Sequence, residues 1–271
     1  YMRELWNKTG IASIWRIIKI ELNKAIVSWA FVGNVIAVVG VLLCIPVYQE
    51  DGADVNSLYI LFLGHTKELF NDPNLNPSSI LSGVMSGYFC MFAPMLVSVS
   101  IMPILSSADD GTSRYFLVRD RIRNIVTGRF IAAVLTGAVV LSMGYALFSL
   151  LVIANAPHLA GELFHDMVVY NSGIFLYGMV SAMWTCLVSV FVRNKYLMVG
   201  IPYIFMWFVE RQISRLQEAT AWAKIIGSGY ILNVYEDYSN GIKIVGIYFV
   251  ISIIVVIIMY EFRRRRVDCG K

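Results

Sequence analysis

Charge is scarce in this chain, and so are the residues that usually carry catalysis. Of 271 residues, 15% are charged and 58% are hydrophobic, whereas a soluble domain carries about 25% charged residues. With a mean hydropathy of +0.68, the composition excludes an ordinary soluble domain. The four cysteines are Cys44, Cys90, Cys186 and Cys269. Three of them lie inside apolar blocks and no CxxC pair occurs, so neither a disulfide framework nor a zinc site is expected. The three histidines, His65, His158 and His165, fall in expected outer loops without a partner set for a metal. An intramembrane hydrolase needs a His–Glu or Ser–His pair within its spans, and none is available. The phosphate loop G-x-x-x-x-G-K-[ST], the zinc motif H-E-x-x-H and the nucleophile elbow G-x-S-x-G are all missing from the sequence. No repeat of 20–50 residues occurs. The expectation is a chain that is not an enzyme and holds no cofactor of its own.

What is present is a series of long apolar blocks. A helix of about 20 apolar residues crosses the hydrocarbon core and satisfies its own backbone there. Six blocks fit: Ala25–Val47, Leu81–Ser106, Ile125–Ile153, Val168–Val192, Tyr196–Val209 and Ile242–Tyr260. They predict an all-α polytopic membrane protein with one transmembrane domain over 1–271. Residues 25–261 carry the spans and 262–271 form a basic tail. No cleavable signal peptide is expected, because the first block begins only near Ala25 and is long for one. Ahead of it, residues 1–24 place Ile11, Ile14, Trp15, Ile18 and Leu22 at helical spacing. That pattern predicts an amphipathic elbow helix lying in the membrane interface. Between spans five and six, Glu210–Gly241 mixes polar and apolar residues around Gly227-Ser228-Gly229, which predicts a broken, re-entrant region. Gly83 and Gly87 form a small-x-x-x-small pair for close packing, and Pro94 and Pro103 should kink the second span.

The net charge of +4 is distributed unevenly. Arg3, Lys8, Arg16, Lys19 and Lys24 precede span one. Arg114, Arg119, Arg121 and Arg123 lie between spans two and three, and Arg193 and Lys195 between four and five. Arg263, Arg264, Arg265 and Arg266 follow span six. The first of the other loops holds Lys67 against Glu50, Asp51, Asp54, Glu68 and Asp72, the third-to-fourth connection holds only Glu162 and Asp166, and the segment between spans five and six is a mild exception, with Arg211, Arg215 and Lys224 balanced by four acids. Basic residues mark the cytoplasmic side, so both termini are expected to be cytoplasmic.

The inner segment Ser106–Arg129 is the most informative stretch. Asp109, Asp110 and Gly111 can end a span, and Thr112 or Ser113 can cap a short helix. Tyr115, Phe116, Leu117 and Val118 give that helix an apolar element amid Arg114, Arg119, Arg121 and Arg123. Such a helix can dock in a groove of a cytosolic protein. The same residues also read as a solvated loop whose arginines set topology.

An acidic pair, Gly-Thr, an apolar run and then basic residues leading into the next span resembles the inner loop of ABC-2 type transporter permeases. Their common pattern is Glu-Glu/Asp, Gly-Thr, Leu, Pro-x-Ser-Arg and Lys. Asp109, Asp110, Gly111, Thr112, Leu117, Arg121 and Arg129 match it, while Arg119-Asp120 replaces the proline and serine positions. The elbow, six spans and re-entrant region extend the likeness over the whole chain. The resemblance implies the permease subunit of an ATP-driven exporter in a bacterial cytoplasmic membrane. It would pair as a dimer, expected to be a homodimer, and bind two copies of a separate ATPase, which holds the ATP and Mg. Asp109, Asp110, Gly111, Thr112, Arg114, Tyr115, Phe116, Leu117, Arg119, Arg121 and Arg123 would form the coupling helix. Nucleic acid is not an expected partner.

The resemblance also brings spans two and five to the translocation path, with Tyr88, Phe89, Phe92, Met95, Tyr203, Met206 and Trp207 as candidate path residues. Met and aromatic groups adapt to varied apolar ligands, though they also serve as ordinary packing or lipid-facing groups. No charge cluster lies mid-span, which favours a hydrophobic or amphipathic substrate over a sugar or ion. In size and layout the chain is similar to the permeases of phenol-soluble-modulin-like toxin exporters and bacteriocin immunity transporters, which implies a peptide toxin or antimicrobial peptide as substrate. A lipid or drug exporter permease is the alternative, as is a non-transporting membrane anchor or sensor subunit.

Overall fold

Apolar helices that cannot bury every face in one another need lipid on the outside, and this chain shows that pattern on both sides of its helices. A computed structural model describes residues 10–50, 53–58, 61–62, 77–83, 87–106, 122–192, 194–213 and 238–269. Helices α1 (Gly10–Ile26) and α2 (Trp29–Cys44) come first. A short hairpin of β1 (Pro46–Glu50) and β2 (Ala53–Asn56) follows, paired antiparallel with Gln49 opposite Asp54. Then come α3 (Pro77–Gly83), α4 (Gly87–Ser106), α5 (Ile122–Asn155), α6 (Ala160–Phe191), α7 (Lys195–Ile213) and α8 (Tyr238–Cys269).

Four stretches are long and apolar enough to cross a membrane: Tyr88–Ser106, Arg123–Asn155, Pro157–Phe191 and Gly241–Glu261. The bent pair Ala12–Ile26 and Trp29–Cys44 qualifies as a fifth when taken together, and Lys195–Val209 is apolar but shorter. The exterior carries many large apolar side chains, among them Ile36, Leu150, Ile204, Phe208, Ile247 and Ile251. Water does not tolerate so large an apolar surface. This is the character of a multi-pass membrane protein.

The antiparallel pair α5 and α6 forms the centre, with α1, α2, α4 and α8 against α5 and α3, α4, α7 and α8 against α6. Glycine sets a close crossing between α5 and α6. A Cβ at Gly178 would stand 2.7 Å from the Ala138 Cα, and one at Gly137 would stand 2.8 Å from the Ala182 Cβ. Small residues at these positions let the two backbones touch. The sequence pair Gly83 and Gly87 is placed differently: Gly83 ends α3 and Gly87 begins α4, with residues 84–86 outside the described residues.

Helix α4 runs through both Pro94 and Pro103. A proline inside a helix lacks the N–H that should bond to the carbonyl four residues earlier. For Pro94 that carbonyl belongs to Cys90, and the buried Tyr177 of α6 donates its hydroxyl to it at 2.7 Å. One turn on, the Ser98 and Thr185 hydroxyls share a buried hydrogen bond of 2.7 Å. A second buried tyrosine works the same way: Tyr145 of α5 donates to the Leu81 carbonyl at 3.0 Å. Leu81 lies in the last turn of α3, where carbonyls have no intrahelical donor.

Between α1 and α2 the chain bends by 63°. Ser28 holds both sides of the bend. Its hydroxyl donates to the Ala25 carbonyl at 2.6 Å and accepts from the Phe31 N–H at 3.2 Å, capping α2.

The apolar residues of α1 divide between an outward and an inward face. Trp15 points outward and is 63% exposed, whereas Ile17 is fully buried. The reason is Gly128 of α5, where a Cβ would stand 2.9 Å from the Ile17 side chain. The missing side chain leaves room for α1 to pack with Ile17, Ile18, Glu21 and Ala25 inward. Arg16, Lys19 and Lys24 are exposed.

Candidate functional site

Helix direction decides which residues meet. A cavity of about 40 Å³ is lined by Ile104, Val126, Phe130, Cys186, Ser189 and Val256 among others. The ends of α4 and α6, the start of α5 and the later part of α8 therefore lie at one end of the bundle. Arg129 lines the same cavity, and its Nε donates to Glu21 Oε1 of α1 at 2.9 Å, with the side chains 13% and 3% exposed. At the opposite end, Ser78 donates to Asp166 Oδ2 at 2.6 Å. Among the described residues, Arg123, Arg129 and Lys195 fall toward the first end and Glu162 and Asp166 toward the other.

Helices α4 and α7 pack together, which joins the second and fifth apolar blocks. The Phe92 and Tyr203 rings lie 6.1 Å apart. Beside them runs an open groove of about 480 Å³, lined by Met95, Val99, Met102, Lys195, Gly200 and Tyr203 among others. The candidate path residues divide by helix face. Tyr88, Phe92 and Met95 are exposed at 56%, 41% and 42%. Trp207 is also partly exposed on α7. Phe89 and Met206 are buried. Phe89 stands 6.4 Å from the Tyr177 ring, inside the bundle. Met95 and Tyr203 line the groove directly, and Phe92 extends it through its ring contact.

Val99, Met102, Tyr196, Val199 and Gly200 also line the groove, beyond the expected path residues. The signal was available in the spacing. Positions 88, 92, 95, 99 and 102 follow one face of a helix, as do 196, 200, 203 and 207. Lys195, a topology residue by its charge, also lines one end of the groove.

Of the expected coupling residues, Asp109, Asp110, Gly111, Thr112, Arg114, Tyr115, Phe116, Leu117, Arg119 and Arg121 lie outside the described residues. Arg123 stands exposed in the first turn of α5. Arg129, the last residue of the inner-loop pattern, sits on α5 and is bonded to Glu21. The expected re-entrant region falls largely at 214–237, which also lies outside the described residues. His65 lies outside them too. His158 stands in a single 3-10 turn and His165 on α6, both exposed, so the outer-loop expectation for His165 is corrected: α6 begins at Ala160. No group of three or more His, Cys, Asp or Glu able to hold a metal occurs among the described residues.

No known family model matches this sequence, and no curated protein matches it.

Proposed function

We propose that this chain is the membrane subunit of an ATP-driven exporter of the ABC-2 type, moving an amphipathic peptide out of a bacterial cell. The observation that carries the reading is the groove between α4 and α7, which joins the second and fifth spans and is lined by Met and aromatic side chains. Such side chains accommodate amphipathic helices of varied sequence.

In this reading α1 is the interfacial elbow, and α2, α4, α5, α6, α7 and α8 are the six spans. At 1.5 Å per residue, the 16 residues of α2 reach about 24 Å and the 19 of α7 about 28 Å. Both approach the roughly 30 Å core. The end holding Arg129 and Lys195 faces the cytoplasm, because basic residues concentrate there. The segment Asp109–Arg123 is the coupling helix, with Phe116 as its buried anchor in the ATPase. Two permease chains and two ATPase copies form the working unit. ATP and Mg are held by the partner, whose closure biases two conformations of the permease.

The test is to purify the full chain from its own cell with whatever copurifies, reconstitute the complex, and measure ATP hydrolysis against added compounds. Amphipathic peptides should stimulate hydrolysis. Stimulation by a sugar or cation, with none by any amphipathic peptide, would overturn the substrate class. An ATPase that binds but moves nothing would make the chain an anchor.

A further inference from the structure

We propose that, when no peptide occupies it, the groove between α4 and α7 binds an anionic phospholipid of the cytoplasmic leaflet, with its head group at Lys195 and an acyl chain along Met102, Val99 and Met95. The groove's apolar wall comes from Met95, Val99, Met102 and Val199, and its aromatic ones from Tyr196 and Tyr203. Lys195 is the one charged residue among the described residues lining it. Helices α4 and α7 run antiparallel, so Lys195 and Met102 share one end, while Met95 and Tyr203 lie deeper. From Lys195 to Tyr203 the helix rises about 12 Å, most of the roughly 15 Å that one leaflet contributes to the hydrocarbon core.

Four features favour a lipid over a shapeless apolar contact. The volume, about 480 Å³, lies within the roughly 300–1,000 Å³ range of small-ligand sites. The cation sits at the end where a head group would lie, and basic pockets between membrane helices on the cytoplasmic side take anionic head groups. Tyr196, next to Lys195, is 88% exposed, the placement of an aromatic residue at headgroup level. Finally, a Cβ at Gly200 would meet nothing within 4 Å, so no side chain of the described residues fills the groove floor there. The site depends on the proposed orientation, with the Lys195 end facing the cytoplasm, and not on the partner ATPase.

The experiment measures binding of phosphatidylglycerol and phosphatidylcholine, each with the same fluorescent acyl chain, to the purified full chain in detergent. Wild type should prefer phosphatidylglycerol about fivefold, the ratio set by roughly one basic residue near a head group. Lys195→Gln should abolish the preference while phosphatidylcholine binding persists, and Lys195→Arg should keep it. Gly200→Phe, which fills open space, should weaken both lipids severalfold. Gly200→Leu provides the same readout if the phenylalanine variant fails to fold. Equal binding of the two lipids by wild type, or an unchanged preference in Lys195→Gln, overturns the proposal. So does a Gly200→Phe chain that changes oligomeric state with lipid binding intact, since a second copy would then occupy the groove. A lipid preference without any copurifying ATPase would sustain this site and remove the exporter reading. Peptide-stimulated hydrolysis without a lipid preference would do the reverse.

Discussion

The hydroxyl of Tyr177 donates a 2.7 Å hydrogen bond to the carbonyl of Cys90, the acceptor that Pro94 cannot serve within α4. Hydrogen bonds between membrane helices average about 0.6 kcal/mol. This one should exceed that value, because its acceptor is buried and proline has removed the intrahelical donor. Tyr177→Phe is expected to cost about 1–2 kcal/mol of stability. The Pro94→Ala variant restores the N–H, so Tyr177→Phe in that background should cost clearly less. Equal costs in the two backgrounds, read by thermal unfolding in detergent, would show that the bond does not compensate for Pro94.

The Glu21–Arg129 pair fastens α1 to α5 in a nearly dry setting. Removing one partner of a buried pair leaves a charge stranded, at a cost of about 3–5 kcal/mol. Arg129→Met should therefore lower folded yield strongly. The double variant Glu21→Leu with Arg129→Met should recover much of it, since matched apolar replacement of a buried pair is often neutral. If the double variant is as damaged as the single, the arginine acts through something other than Glu21.

Gly178 is the closest point of the α5–α6 crossing, with backbone atoms of Gly137 and Ala138 where its side chain would begin. Backbone cannot rotate away as a flexible side chain can, so the helices must separate. Gly178→Leu is expected to abolish folded protein in detergent, whereas Gly161→Leu, at an open position, should be tolerated. Similar yields from the two variants would refute a close crossing.

The helical fold was legible because lipid exposure leaves long apolar blocks that little else produces. The two-ended charge pattern was legible for a related reason: Arg123, Lys195, Glu162 and Asp166 fall at helix ends. Packing partners were not. Gly83 and Gly87 carried the small-residue spacing, yet the tight crossing uses Gly137 and Gly178, which lie on different helices and share no local pattern. Glu21 read as one more polar residue of an amphipathic helix, since nothing local names Arg129 as its partner 108 residues away. The groove was half legible. Periodicity could assign Tyr88, Phe92 and Met95 to one face of α4, but only the packing of α4 on α7 adds Lys195 to it.

Orientation is open to a direct check. In a background with its native cysteines replaced, Glu162→Cys should react with an impermeant thiol reagent in intact cells, and Lys195→Cys only after permeabilisation. The expectation follows from the basic end facing inward. The opposite labelling pattern would invert the bundle and remove the head-group position assigned to Lys195.

The most direct measurement is peptide uptake by inside-out vesicles that contain the full chain and the ATPase copurifying with it. The expected result is ATP-dependent accumulation of a labelled amphipathic peptide, lost in Phe116→Ala while that variant still inserts in the membrane. A buried aromatic anchor at such an interface is worth about 2 kcal/mol or more, enough to weaken assembly more than tenfold. Absence of any copurifying ATPase, or peptide accumulation that is the same with and without ATP, would contradict the assignment of this chain as an exporter subunit.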